Sequence, residues 1–261
     1  MTVIDDLNRT VTFYFPPVKI VSLVPSLTEL LFDLGLNEEI VGITKYCIYP
    51  EDKTKNVYKI GGTKNFKVEE IIKLNPDIVI SNKEENTKEL IEKLSENMPV
   101  YVTDIKDIDD AINSIENIGF ITGKKNEAEL LIKKIEDKLR ILQQNITNKP
   151  TCIYLIWKQP LMSVSKDTFI NSMLEISGFN NLIANDLDRY PELSIEQLQN
   201  LNPEYLLLST EPYLFKQSHI KYFEKFLPKT KVKIVDGSYF SWYGSRISKA
   251  IDYFIELRKS F

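Results

Sequence analysis

The sequence predicts an α/β protein of two similar lobes, each with a mostly parallel sheet, facing a cleft and joined by one long rigid α-helix. Three observations predict it. The chain says one thing twice: Glu69 leads into LNPDIVIS (74–81), Glu196 leads into LNPEYLLL (201–208), and 127 residues separate the copies at both places. Strand-like apolar runs alternate with helical ones, the pattern of parallel sheets covered by helices. An amphipathic stretch over 127–146 lies between the copies. A second echo pairs LLFDLGLN (30–37) with MLEISGFN (173–180), placing Gly35 and Gly178 at helix ends. Two similar halves in one chain suit small-molecule capture.

In chain order, residues 2–15 alternate apolar and polar, as a small hairpin on the edge of the first lobe would. A buried strand follows over 19–24. Pro25-Ser26 then opens a helix, with Ser26 as N-cap and Glu29 at the capping-box position. The alternation continues through a strand at 40–43, a helix at 68–74, a strand at 78–80, a helix at 85–96 and a strand at 100–103. Helices follow over 107–122 and 127–146. In the second of these, Ala128, Leu131, Ile135, Leu139 and Leu142 recur at spacings of three and four and form one apolar stripe. A helix of about 20 residues extends roughly 30 Å. No Gly/Ser/Pro run separates the lobes, so the connector is expected to be stiff and to allow only slight rocking. The second lobe repeats the scheme with a strand at 152–157, helices at 168–177 and 194–200, strands at 205–209 and 232–235, and a closing helix at 245–258. The expected division is a first lobe over 1–122, a connecting helix over 123–147 and a second lobe over 148–261.

At 261 residues the chain is long enough for two ordinary domains. A net charge of −4 argues against a nucleic-acid binder, which would carry a basic surface. No apolar run reaches the roughly 18–20 residues that span a bilayer. Cys47 and Cys152 have no paired spacing, which argues against a zinc or disulfide framework, and a monomer is expected. Asp5 and Asp6 stand where a signal peptide would have its basic start. The expected location is periplasmic or membrane-associated if an export leader was trimmed, and cytoplasmic if Met1 is the native start.

Ligands of open α/β sheets settle beyond the carboxyl ends of the strands. In the first lobe this points to Pro25-Ser26, Tyr46-Cys47, the loop Gly61-Gly62-Thr63-Lys64-Asn65-Phe66, and Asn82-Lys83. In the second it points to Trp157-Lys158-Gln159, Arg189-Tyr190, Glu211-Pro212-Tyr213 and GSYFSWYGSR (237–246). That last loop holds four aromatic residues, among them Tyr239 and Trp242, more than local packing accounts for. Lys45, Lys64, Lys83, Lys158 and Arg246 would supply positive charge for an anionic ligand, although each lysine singly also reads as solvated surface. Gly61-Gly62 is a turn and not a phosphate loop. Cys47 reads as a loop thiol of no special role and His219 as a surface residue. The sequence holds no nucleophile elbow, metalloprotease helix or P-loop, so a non-enzymatic protein without an intrinsic cofactor or metal site is expected.

These segments resemble the class III periplasmic binding proteins of ABC importers, of the cobalamin, ferric-siderophore and haem receptor type. The likeness rests on IVSLVPSLTELLFDLGL (20–36), VEEIIKLNPDIVI (68–80), the 127–146 helix and DGSYFSWYGSRISKAI (236–251). The resemblance implies capture of a bulky metal chelate, a corrinoid or an iron chelate, for delivery to a membrane permease. In the cobalamin receptor one glutamate on each lobe pairs with permease arginines, and these positions match Glu69 and Glu196. Both also suit acids that complement a helix dipole. The family's stacking aromatics match Tyr190 and Tyr239. Its first-lobe tryptophans are not retained, with Thr63 and Asn82 near their positions, and its disulfide is missing. The alternative expectation is an intracellular protein that handles or senses a tetrapyrrole with the same fold and no transporter.

Overall fold

The computed structural model describes residues 1–185 and 188–259. The chain forms two compact units. The first comprises Met1–Ile105, Asp109–Lys134 and Tyr243–Arg246; the second comprises Lys106–Ile108, Ile135–Trp242 and the chain from Ile247 onward.

The first unit opens with an antiparallel hairpin of β1 (Thr2–Ile4) and β2 (Thr10–Thr12). Buried Asp5 accepts hydrogen bonds from Leu7, Arg9 and Val102 backbone N–H groups and from the Arg9 guanidinium, tying the hairpin to the sheet edge. Next come β3 (Ile20–Ser22), α1 (Pro25–Asp33), β4 (Ile40–Ile43), α2 (Glu51–Thr54), α3 (Val68–Leu74), β5 (Ile78–Asn82), α4 (Lys88–Ser95), β6 (Val100–Thr103) and α5 (Ile108–Ile121). The sheet order is β4-β3-β5-β6, parallel throughout. α6 (Lys125–Gln144) carries the apolar stripe: Ala128, Ile135 and Leu142 are buried and Leu131 and Leu139 partly so.

The second unit contains β7 (Thr151–Leu155), β8 (Leu161–Met162), α7 (Phe169–Ile176), β9 (Asn180–Asn181), β10 (Glu192–Leu193), α8 (Ile195–Leu201), β11 (Tyr205–Ser209), α9 (Gln217–Glu224), β12 (Lys231–Val235), α10 (Ser238–Ser241) and α11 (Ile247–Arg258). Its main sheet runs β9-β7-β11-β12, again all parallel. Taken in chain order, the four strands of each sheet are arranged second, first, third, fourth. The two units therefore share one topology. In the second unit Ile153, Leu155, Leu206, Leu208 and Phe223 are fully buried together.

The repeat holds to the residue. α3 and β5, shifted by 127, fall on α8 and β11 at both ends. Asn75 and Asn202 end their helices in the left-handed conformation, at φ 46° and 44°. Asparagine tolerates that conformation better than most residues, and the proline that follows blocks further helix. Every residue of β5 and β11 is buried, as expected of strands covered on both faces.

The start of α1 differs from expectation. Its N-cap is Val24, with no side-chain bond, and Pro25 occupies the first turn, where its missing N–H costs nothing. Ser26 is buried inside the helix, and Glu29 pairs with Arg246 instead of closing a capping box. The closing helix begins two residues later than expected, because Gly244–Arg246 forms a 3-10 turn first.

Candidate functional site

In the second unit the loops beyond the strands form an aromatic rim. β8 pairs with β10, and Ser163 N–H donates to Pro191 at 3.0 Å, which sets the Trp157 hairpin beside the loop bearing Tyr190. Trp157 is 39% exposed and donates its indole N–H to Gln159 at 3.1 Å. Its ring meets Tyr213 edge-on at 5.5 Å, and Tyr213 packs on buried Phe215 at 4.8 Å. Arg189 lies 5.9 Å over the ring of half-buried Tyr190.

From the loop after β11, Glu211 holds Trp242 in the loop beyond β12. One carboxylate oxygen accepts from the Trp242 indole at 2.9 Å and from the Ser241 hydroxyl. Gly237 permits this close approach, since a Cβ there would stand 2.3 Å from Ser209 Oγ and 2.7 Å from Glu211 Cγ. Tyr239 stacks on Tyr253 at 4.7 Å and 25°, which covers one of its faces. Tyr154 beneath is fully buried and its hydroxyl donates to Ser209 at 3.0 Å, so it braces the rim.

The first unit's rim is more polar. Tyr46 is 52% exposed, with Lys45 Nζ 5.0 Å over its ring. Gly61 adopts φ +119°, and a Cβ there would stand 2.9 Å from Phe66 Cα, so this turn requires glycine. Lys64 and Asn65 are exposed on that loop. Asn86 fastens the loop from behind, donating to Thr63 at 2.9 Å while accepting from Asn82 N–H at 3.0 Å.

Three candidates take roles other than free ligand contact. Phe66 is 3% exposed and anchors its loop in the core, as a phenyl ring beside an apolar interior does. Arg246 is buried: its guanidinium donates to both oxygens of Glu29, at 2.7 and 3.1 Å, and lies 4.4 Å over Tyr49. Lys83 is exposed, but its charge is met by Asp104 at 2.7 Å. Of the other lysines, Lys158 lies 5.6 Å over Tyr222. Cys47 is buried between Thr28 and Thr44, and burial pushes its thiol up. Among the described residues no three His, Cys, Asp or Glu side chains are placed to hold a metal ion, and no helix is long and apolar enough to cross a membrane.

Glu69 and Glu196 occupy the same place in their repeated helices, in the first turn of α3 and of α8, and both are exposed. Glu69 accepts from Lys93 Nζ at 2.9 Å, which holds its carboxyl below the usual range. Tyr213 and Glu211 are rim residues that loop position suggested but composition did not single out. Tyr213 lies 127 residues beyond Asn86, which is buried behind its own loop, so the two equivalent positions play different parts.

The periplasmic binding protein family matches residues 20–231. The chain belongs to that family. An ABC transporter substrate-binding lipoprotein of Bacillus subtilis is 30% identical over 217 residues, covering 79% of this chain and 68% of that protein. A vitamin B12-binding protein of Vibrio parahaemolyticus is 26% identical over 197 residues, covering 74% and 71%. Among solved structures, the apo form of a periplasmic haem-binding protein from Roseiflexus sp. RS-1 has a TM-score of 0.78 at 25% identity, covering 91% of this chain and 96% of the other. The protein is thus a substrate-binding protein of the ABC-transporter kind, with the fold expected of that class.

Proposed function

We propose that this protein captures a metal chelate of corrinoid or haem type for an ABC importer, chiefly through the second unit's aromatic rim. The observation that carries this reading is the partly exposed Trp157–Tyr213 pair at the carboxyl ends of parallel strands, with Tyr190, Tyr239 and Trp242 on neighbouring loops. A planar macrocycle offers a wide π-face, and aromatic rings bury such a face with little entropy lost. The chelate's own donor atoms hold its metal, and the protein performs no catalysis on it. Relatives named for vitamin B12 and for haem support this ligand class. A ferric siderophore is a third candidate of the same kind.

In this reading Glu69 and Glu196 dock the permease. Their identical placement in a two-fold repeated helix supports the role, because a two-fold transporter presents matched contacts to both. In the same reading the protein works as a monomer outside the cytoplasmic membrane; relatives named as a lipoprotein and as a periplasmic protein support that location.

Equilibrium dialysis against cyanocobalamin, haemin and ferrichrome tests the ligand class. Retention of one chelate at a one-to-one ratio supports the reading. Retention of none by folded protein contradicts the chelate class and points to a different small-molecule substrate.

A further inference from the structure

α9 opens on a hydrogen bond that only a neutral histidine accepts. The backbone N–H of Lys216, just before the helix, donates to His219 Nδ1 at 2.8 Å. An accepting Nδ1 leaves the ring proton on Nε2, whereas an imidazolium carries protons on both nitrogens and accepts nothing. The same protein makes this bond elsewhere with a residue that does not titrate. At the start of α8, Ser194 N–H donates to Gln197 Oε1 at 2.7 Å, and Gln197 holds the same third helical position as His219.

His219 also belongs to a chain of rings that ends on the rim. It lies 5.4 Å from Phe215 and 5.8 Å from Tyr213, and Tyr213 in turn meets Trp157 at 5.5 Å. The groups facing it are Lys158 from the loop after β7, Lys216 at the start of its own helix, and Tyr213 and Phe215 from the loop after β11. The charges that act on it are both positive. Burial first, then Lys158 and Lys216, lower the imidazole below its usual 6.5.

We propose that His219 is a positioning residue for the second unit's rim. While neutral it holds the 213–219 segment and, through Tyr213, sets Trp157 to receive a chelate; protonation releases that hold, and capture weakens in acid. This rests on the binding function proposed above. The neutral ring is favoured by the fold, so its contribution is whole above the unfolded value of about 6.5 and is lost as pH falls through the lower folded value.

The test pairs two readouts between pH 4.5 and 8. One is Trp157 emission of ligand-free protein in a Trp242→Phe background, which leaves a single tryptophan. The other is the affinity for cyanocobalamin and haemin in the full protein. The expected result is an emission change with a midpoint below 6.5 and a several-fold weaker affinity in acid. His219→Gln, which keeps the acceptor as Gln197 does, should flatten both while leaving neutral affinity in place. A flat emission profile in the parent, or an unchanged pH profile in His219→Gln, overturns the proposal. If emission titrates and the glutamine variant flattens it, but neither chelate binds at any pH, the positioning role stands and the chelate reading falls.

Discussion

Arg246 reaches back 217 positions to clamp Glu29, donating to both carboxylate oxygens at 2.7 and 3.1 Å. The two side chains are only 7% and 3% exposed. Two buried charges at this spacing are tolerable because each compensates the other. Removing one leaves the other stranded without water.

Arg246→Met should therefore lower the stability of the fold by about 3–5 kcal/mol, as measured by urea unfolding. The Glu29→Leu, Arg246→Met double variant should recover most of that loss, since no charge is then left uncompensated. A single variant as stable as the parent would show that water reaches the pair.

Asn75 and Asn202 carry the repeat's helix-ending turn. Asn202→Val should cost about 1–2 kcal/mol, because a β-branched side chain is forced into the left-handed region. Asn202→Gly should be close to neutral. Thermal unfolding of both variants, with the matching pair at Asn75, reads the prediction twice in one molecule. A valine variant without penalty would contradict the backbone conformation described.

Both thiols should be silent in the folded protein. Cys47 and Cys152 are buried, and burial pushes each thiol up, so almost no thiolate is present at neutral pH. A disulfide reagent should titrate no thiol in buffer and two in denaturant. Rapid labelling of Cys47 in buffer would show that its loop opens.

Glu69→Lys with Glu196→Lys should abolish chelate uptake in cells and leave chelate affinity within about twofold, since neither acid belongs to the aromatic rim proposed to hold the chelate. Single reversals should be intermediate. Unimpaired uptake by the double variant would remove these residues from the permease contact.

The fold was legible where its cause is local. The LNP turns, the buried runs of β5 and β11 and the stripe along α6 each follow from residues within one or two turns of chain, and the 127-residue offset made both copies visible. β9 was not legible, because Asn180 and Asn181 are polar and pair as a strand only through β7. The site divides in the same way. The loop positions of exposed Trp157 and half-buried Trp242 could be read from the strand pattern. The burial of Phe66 and the partner of Arg246 depend on chain distant in sequence, so a rim loop and a buried anchor read alike. Tyr213 shows the reverse: its loop position was legible, but its importance lies in touching Trp157 on one side and His219 on the other.

Intrinsic fluorescence titration of the parent and its Trp157→Phe and Trp242→Phe variants tests chelate capture most directly. The chain holds two tryptophans, both on the second unit's rim loops. Saturable quenching by cyanocobalamin or haemin, with Trp157→Phe losing the larger share of the quenched signal and several-fold in affinity, is the predicted result. Saturable binding that leaves both tryptophans unquenched would contradict the aromatic rim as the site, and no saturable response to any chelate would contradict the function itself.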